Sequence, residues 1–273
     1  MNSPIAASPA PQRLPSVFIS HGSPMFALEP GIAGPNLGAL GRTLPRPAAV
    51  LVVSPHWMTH APQVGTAERP ETIHDFGGFP EPLYRLQYPA AGHPALAARA
   101  LEVLAAAGWA ASASPRQGLD HGTWVPLMHL YPQVDVPVFQ VSLPARLTAA
   151  GAWALGEALA PLASEGVLIV GSGSLTHNLR EFFVERRTDN DYVAAFAGWV
   201  RQAVLAGDGD ALRAVMERAP DAQRAHPTVE HLWPLLVAAG AGAPGAPASV
   251  IEGGIEYGML SMDGFVFGQV GHA

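Results

Sequence analysis

The sequence contains no cysteine and no lysine. Without cysteine there can be no disulfide, thiolate zinc site, iron–sulfur cluster or thiol nucleophile. Without lysine, Schiff-base catalysis and the phosphate-cradling P-loop are excluded, and all 15 basic residues are arginine. Charge is sparse: 14% of residues, a formal net charge of −7 and no basic run. Nucleic acid and anionic membranes are therefore poor partners. No apolar stretch reaches the roughly 18–20 residues that cross a bilayer. Met1 to Leu14 is rich in Pro, Ala and Ser and lacks the basic start and apolar core of a signal peptide. Residues 1–14 are expected to be a loose tail on a cytoplasmic protein, with a single domain over 15–273.

What the chain does have is apolar bulk and histidine. Hydrophobic residues make up 49%, and the 29 glycines and 27 prolines are spread among apolar runs, which predicts tight loops and not disorder. The runs Val17–Ser20, Val50–Ser54, Val138–Leu143 and Val167–Val170 are short, β-branched and bounded by turn residues, as buried strands are. Ala/Leu-rich helical patterns lie at Pro94–Ala107, Ala149–Glu165, Tyr192–Ala206 and Asp210–Arg218, and Ser249–Glu252 and Phe265–Gln269 read as two further strands. Alternating strand and helix predicts an α/β domain: a mostly parallel or mixed central sheet with helices on both faces.

With thiols and amines gone, chemistry falls to the 11 histidines, the carboxylates, hydroxyls and arginines, or to a bound metal. His21 follows the first strand in Ser20-His21-Gly22-Ser23-Pro24. His56 follows the second in Ser54-Pro55-His56-Trp57. His177 follows the fourth after Gly171-Ser172-Gly173-Ser174. Ligands of open α/β sheets bind beyond the strand C-termini, so these three should converge there on a shared site. His231 lies in Pro227-Thr228-Val229-Glu230-His231. Thr228 as N-cap would place Glu230 and His231 in the first turn of a helix, where a neutral imidazole is favoured. His121, in Asp120-His121-Gly122, reads as a pocket loop residue suited to acid/base work or to a structural role. His74 precedes the aromatic, glycine-rich stretch 75–80. His60, His93, His129, His226 and His272 carry no companion pattern and read as structural or surface groups. There is no nucleophile elbow and no dinucleotide-binding glycine motif.

Seven ordered segments resemble one family: Ser20-His21-Gly22-Ser23-Pro24, Ser54-Pro55-His56-Trp57, His74-Asp75-Phe76 with Gly78-Phe79-Pro80, Asp120-His121-Gly122, Gly173 with His177-Asn178, Pro227-Thr228 with Glu230-His231, and Glu252-Gly253-Gly254-Ile255-Glu256. The chain resembles the class III extradiol aromatic-ring-opening dioxygenases, related to the protocatechuate 4,5-dioxygenase catalytic subunit, and is most similar to the 4,5-DOPA extradiol dioxygenase-like branch. The resemblance implies an extradiol dioxygenase domain with His21, His56 and His231 as metal ligands. It implies that His177 is an acid/base or a fourth ligand, and that His121 is a second pocket histidine contacting substrate. Relatives further off use a glutamate as third ligand, and Glu230 stands beside His231.

The implied reaction is ring cleavage of a catechol with O2 to a semialdehyde. Fe(II) is expected for activity, with Zn(II) an alternative bound ion. Trp57, Phe76 and Phe79 would wall a water-excluding pocket, and His177 or His121 would move the proton. The rival reading is a zinc hydrolase working through a metal hydroxide, since a histidine shell also suits zinc.

Overall fold

The computed structural model describes residues 13–181 and 191–270. Its strands are β1 (Ser16–Ser20), β2 (Ala49–Thr59), β3 (Gln63–Gly65), β4 (Ser112–Ser114), β5 (Val138–Pro144), β6 (Val167–Gly173), β7 (Ala248–Ile251), β8 (Ile255–Glu256), β9 (Leu260–Ser261) and β10 (Gly264–Phe267). Eight of them form one sheet in the order β4-β3-β5-β2-β6-β1-β10-β7, while β8 and β9 make a separate two-stranded ribbon. The centre, β5-β2-β6-β1, is parallel, and β10 and β7 join antiparallel. The sheet is thus mixed, with a parallel heart. Every residue of β1, β5 and β6 is buried, which is why these strands read as unbroken apolar runs and not as alternating ones.

The helical patterns form where the caps allow. His93 caps Pro94–Ala106 through its ring nitrogen, and Thr148 caps Ala149–Leu159 by accepting from the Gly151 N–H. The pattern predicted to run to Glu165 tightens to a 3-10 turn at Ala160–Glu165 and stops at Gly166, whose left-handed conformation ends it. The 210–218 pattern splits into Gly209–Arg213 and Val215–Arg218. Asp191–Leu205 is one helix, close to the expected Tyr192–Ala206, and residues 182–190 before it lie outside the described residues. So does the tail up to residue 12. Arg13 and Leu14 are anchored: the Leu14 N–H bonds the Ala163 carbonyl, and the Arg13 guanidinium reaches those of Ala160 and Ala241.

Strand β6 shows how both faces of the sheet are covered. Successive residues of a strand point to opposite faces. A Cβ on Gly171 would lie 1.9 Å from the Pro234 carbonyl oxygen, so the Trp233–Ala241 helix packs directly on the backbone there. Next door, the Ser172 hydroxyl donates to the Gly122 carbonyl, in the His121–Leu130 helix on the other face. The end of β6 also holds the turn carrying His231: the Ser174 N–H donates to the His231 carbonyl at 2.9 Å. Among the described residues no helix is long and apolar enough to cross a membrane.

Candidate metal centre

Five histidines converge beyond the C-terminal ends of the parallel strands. His21 leaves β1 with its N–H on the Gly173 carbonyl. His56 is not beyond its strand, as expected, but within it. Strand β2 slips register between Ser54 and Met58 and then pairs on to Thr59. Pro55, lacking an N–H, sits in this irregularity, and the extra residues re-aim His56 toward His21. His121 is not in a loop. It opens the His121–Leu130 helix, capped by Asp120, whose carboxylate accepts from the Thr123 N–H at 3.1 Å. His231 precedes its helix and is not in its first turn. Pro234 sets the start at Trp233, so Thr228 is no N-cap and instead donates its hydroxyl to Glu230 at 2.9 Å. His177 hangs from the loop after β6, its N–H on the Ala225 carbonyl.

Three imidazoles have their outer nitrogen tied down by a hydrogen bond, and a fourth, His56, turns its own toward a carboxylate. Ser172 gives its proton to Gly122, so its oxygen accepts from His21 Nδ1–H at 3.0 Å. His121 Nδ1 lies 3.0 Å and His56 Nδ1 3.6 Å from the same Asp75 oxygen. His231 Nδ1 lies 3.1 Å from Glu230. With Nδ1 protonated, the Nε2 atoms of His21, His121 and His231 carry lone pairs, and the carboxylate facing His56 favours the same tautomer there. The Nε2 atoms of His21 and His56 face each other at 3.1 Å. With the His56 proton on Nδ1, two lone pairs face each other there, and a divalent cation between the two nitrogens would turn that opposition into binding. This donor chemistry fits a divalent metal bound by neutral nitrogen.

The tightest groupings are His21 with His56 and His121, and His177 with Glu230 and His231. They adjoin: the His231 ring centroid lies 5.6 Å from that of His21 and 5.1 Å from that of His56. His177 stacks on His231 at 3.6 Å with the planes 10° apart.

Electrostatics keeps four of these imidazoles neutral. Burial, then repulsion from the neighbouring rings, pushes His56 down to about 2 and His177 down to about 3. Burial likewise holds His21 and His231 below the ordinary imidazole value. Burial would raise Glu230, but its hydrogen bonds from His231, its own backbone and Thr228 bring it down to about 2. The unfolded chain protonates its histidines near 6.5, so below that pH the unfolded state of the metal-free protein binds more protons than the folded one. Stability should therefore be full above pH 6.5 and fall as pH drops toward 4. Urea midpoints of the metal-free protein from pH 8 to 5 check this, and a flat profile would contradict it.

A cavity of about 540 Å³ opens onto the cluster, touching His56, His121, His177 and His231. Its walls include Pro24, Met25, Phe76, Phe79, Leu179, Met259 and Leu260. Trp57, expected in the wall, is buried elsewhere, because neighbouring strand residues point to opposite sides. A larger hollow of about 730 Å³, at the other end of the sheet beside Arg13 and Phe267, gathers no histidines and is not the site. His74 donates to the Leu86 carbonyl and braces the loop. His129 and His226 likewise bond the carbonyls of Phe26 and Leu175, while His272 lies outside the described residues. Asp75 and Ser172 escaped the sequence reading. Both stood inside recognised stretches whose histidines and glycines drew attention first.

Across residues 37–267 the chain matches the family described as the catalytic LigB subunit of aromatic ring-opening dioxygenase. The chain belongs to that family. It is 40% identical to a 4,5-DOPA dioxygenase extradiol of Escherichia coli K12, covering 92% of this chain and 93% of the relative. It is 39% identical to a protein of the same description from Beta vulgaris, covering 92% and 95%. A crystal structure of an uncharacterized Escherichia coli K12 protein superposes with a TM-score of 0.74 at 32% identity, covering 94% of this chain and all of that one. The dioxygenase is a metal-dependent extradiol ring-cleaving enzyme for catechol-type substrates.

Proposed function

We propose that the enzyme binds Fe(II) through His21, His56 and His231 and opens a catechol with O2 to a semialdehyde, with His121 and His177 moving protons. The carrying observation is the pair of Nε2 atoms of His21 and His56 that face each other at 3.1 Å, with His231 oriented beside them by Glu230. Ferrous iron, when bound, would supply the electron flow that lets dioxygen react with a singlet arene.

The protein's part is positioning and proton handling. His177 lies stacked on His231, with the ring centroids 3.6 Å apart, and lines the cavity beside it. It is neutral at working pH, as a base awaiting a catechol hydroxyl must be. His121 meets Phe76 edge-on at 5.6 Å, which places it at the wall where the aromatic ring would lie. Phe76, Phe79 and Leu179 exclude water and give the ring an apolar seat.

The deciding experiment is anaerobic reconstitution with ferrous iron followed by a catechol panel. O2 uptake and a yellow ring-opened product are expected. No uptake across the panel with iron bound would overturn the reading. Turnover with zinc, which has no redox chemistry, would point instead to hydrolysis.

A further inference from the structure

We propose that Asp75 is a positioning residue, fixing one imidazole that holds metal and another that moves protons so that both present Nε2 lone pairs to the cavity. The proposal rests on the reading of His56 as a ligand and His121 as a proton carrier. Asp75 Oδ1 accepts the backbone N–H of His121 at 2.8 Å. Its Oδ2 lies 3.0 Å from His121 Nδ1 and 3.6 Å from His56 Nδ1. The two rings lie 3.9 Å apart, which lets one carboxylate serve both. An ionised carboxylate only accepts, so His121 Nδ1 at 3.0 Å must carry the proton, and the same negative charge favours a proton on the facing Nδ1 of His56. Among the described residues no other acceptor is bonded to His121 Nδ1. Asp120, next in sequence, cannot stand in. Its oxygens take Ser54, Gln140 and the Thr123 N–H, and it holds the helix start instead.

Three segments distant in sequence meet at this carboxylate: the aromatic loop, strand β2 and the His121–Leu130 helix. The same loop carries Phe76, so the residue that orients the imidazoles and the residue that would seat the substrate ring are adjacent. Placement of substrate and of proton acceptor is thereby linked through one short stretch of backbone.

The discriminating variant is Asp75→Asn. It keeps the shape but has one acceptor oxygen in place of two. With that oxygen on the His121 N–H, the amide NH2 faces Nδ1 and can only donate. The ring proton is driven to Nε2, and the inward lone pair is lost. In metal-free protein, long-range proton–nitrogen spectra should show His121 protonated on Nδ1 in the wild type and on Nε2 in Asp75→Asn, with signals assigned through His121→Ala. With saturating iron, kcat should fall about 10²- to 10⁴-fold while KM for the catechol moves much less. Asp75→Glu, which restores two acceptor oxygens, should recover the Nδ1 tautomer and part of kcat.

Wild-type kcat in Asp75→Asn would overturn the proposal. So would a reduced kcat with His121 still protonated on Nδ1. If Asp75→Asn does not fold, the wild-type spectrum decides, since a proton on Nε2 there overturns it as well. The tautomer is read without turnover. A wild type that opens no catechol but carries Nδ1–H on His121 therefore supports the positioning while refuting the functional reading.

Discussion

Replacing His21 by alanine is expected to abolish iron binding and every measurable trace of ring opening. His21 is buried, its Nε2 faces that of His56 at 3.1 Å, and its Nδ1–H is held by Ser172. Removing it deletes one of the two facing nitrogens. Loss of a mere outer-shell partner lowers metal affinity about 10- to 100-fold. Loss of a ligand from a three-histidine shell should exceed that and leave no iron after gel filtration. Iron content and O2 uptake, measured on the same preparation, check the expectation. The fold should survive, because the strands below it are packed independently of the ring. A His21→Ala protein that retains iron stoichiometrically would remove His21 from the ligand set.

His177→Ala should give the opposite pairing: iron retained and turnover lost. General acid–base catalysis contributes about 10²- to 10⁴-fold, and kcat should fall by that order while the affinity for iron stays near the wild-type value. The place of His177 on the cavity wall, stacked on His231, carries this expectation. If iron and activity vanish together, His177 is a fourth ligand. If activity is unchanged, it has no part in the reaction.

The parallel heart of the sheet was legible because its valines leave no alternative. Val50, Leu51, Val52 and Val53 are all fully buried, and a run of four consecutive aliphatic residues, three of them β-branched, marks a strand covered on both faces. His21 and His177 were legible for the same reason, as they follow such runs. His56 was half legible. Its neighbourhood was right, but a register slip that keeps β2 going past Pro55 has no signature in a single sequence. His231 was assigned to a helix start because Thr228 has the chemistry of a cap, yet Pro234 sets where that helix begins and Thr228 bonds Glu230 instead. Asp75 was out of reach by distance. Its partner His121 stands 46 positions away, and only the fold makes one carboxylate the neighbour of two imidazoles.

The wall of the cavity also carries two oxidisable thioethers. Met25 and Met259 face a chamber to which dioxygen must come, in a chain that has no thiol to intercept a stray oxidant. Conversion of either thioether to its sulfoxide would set a strong dipole into an otherwise greasy surface and loosen the fit around an aromatic ring. Oxidation at either position should then weaken substrate capture, and treatment with methionine sulfoxide reductase should restore it.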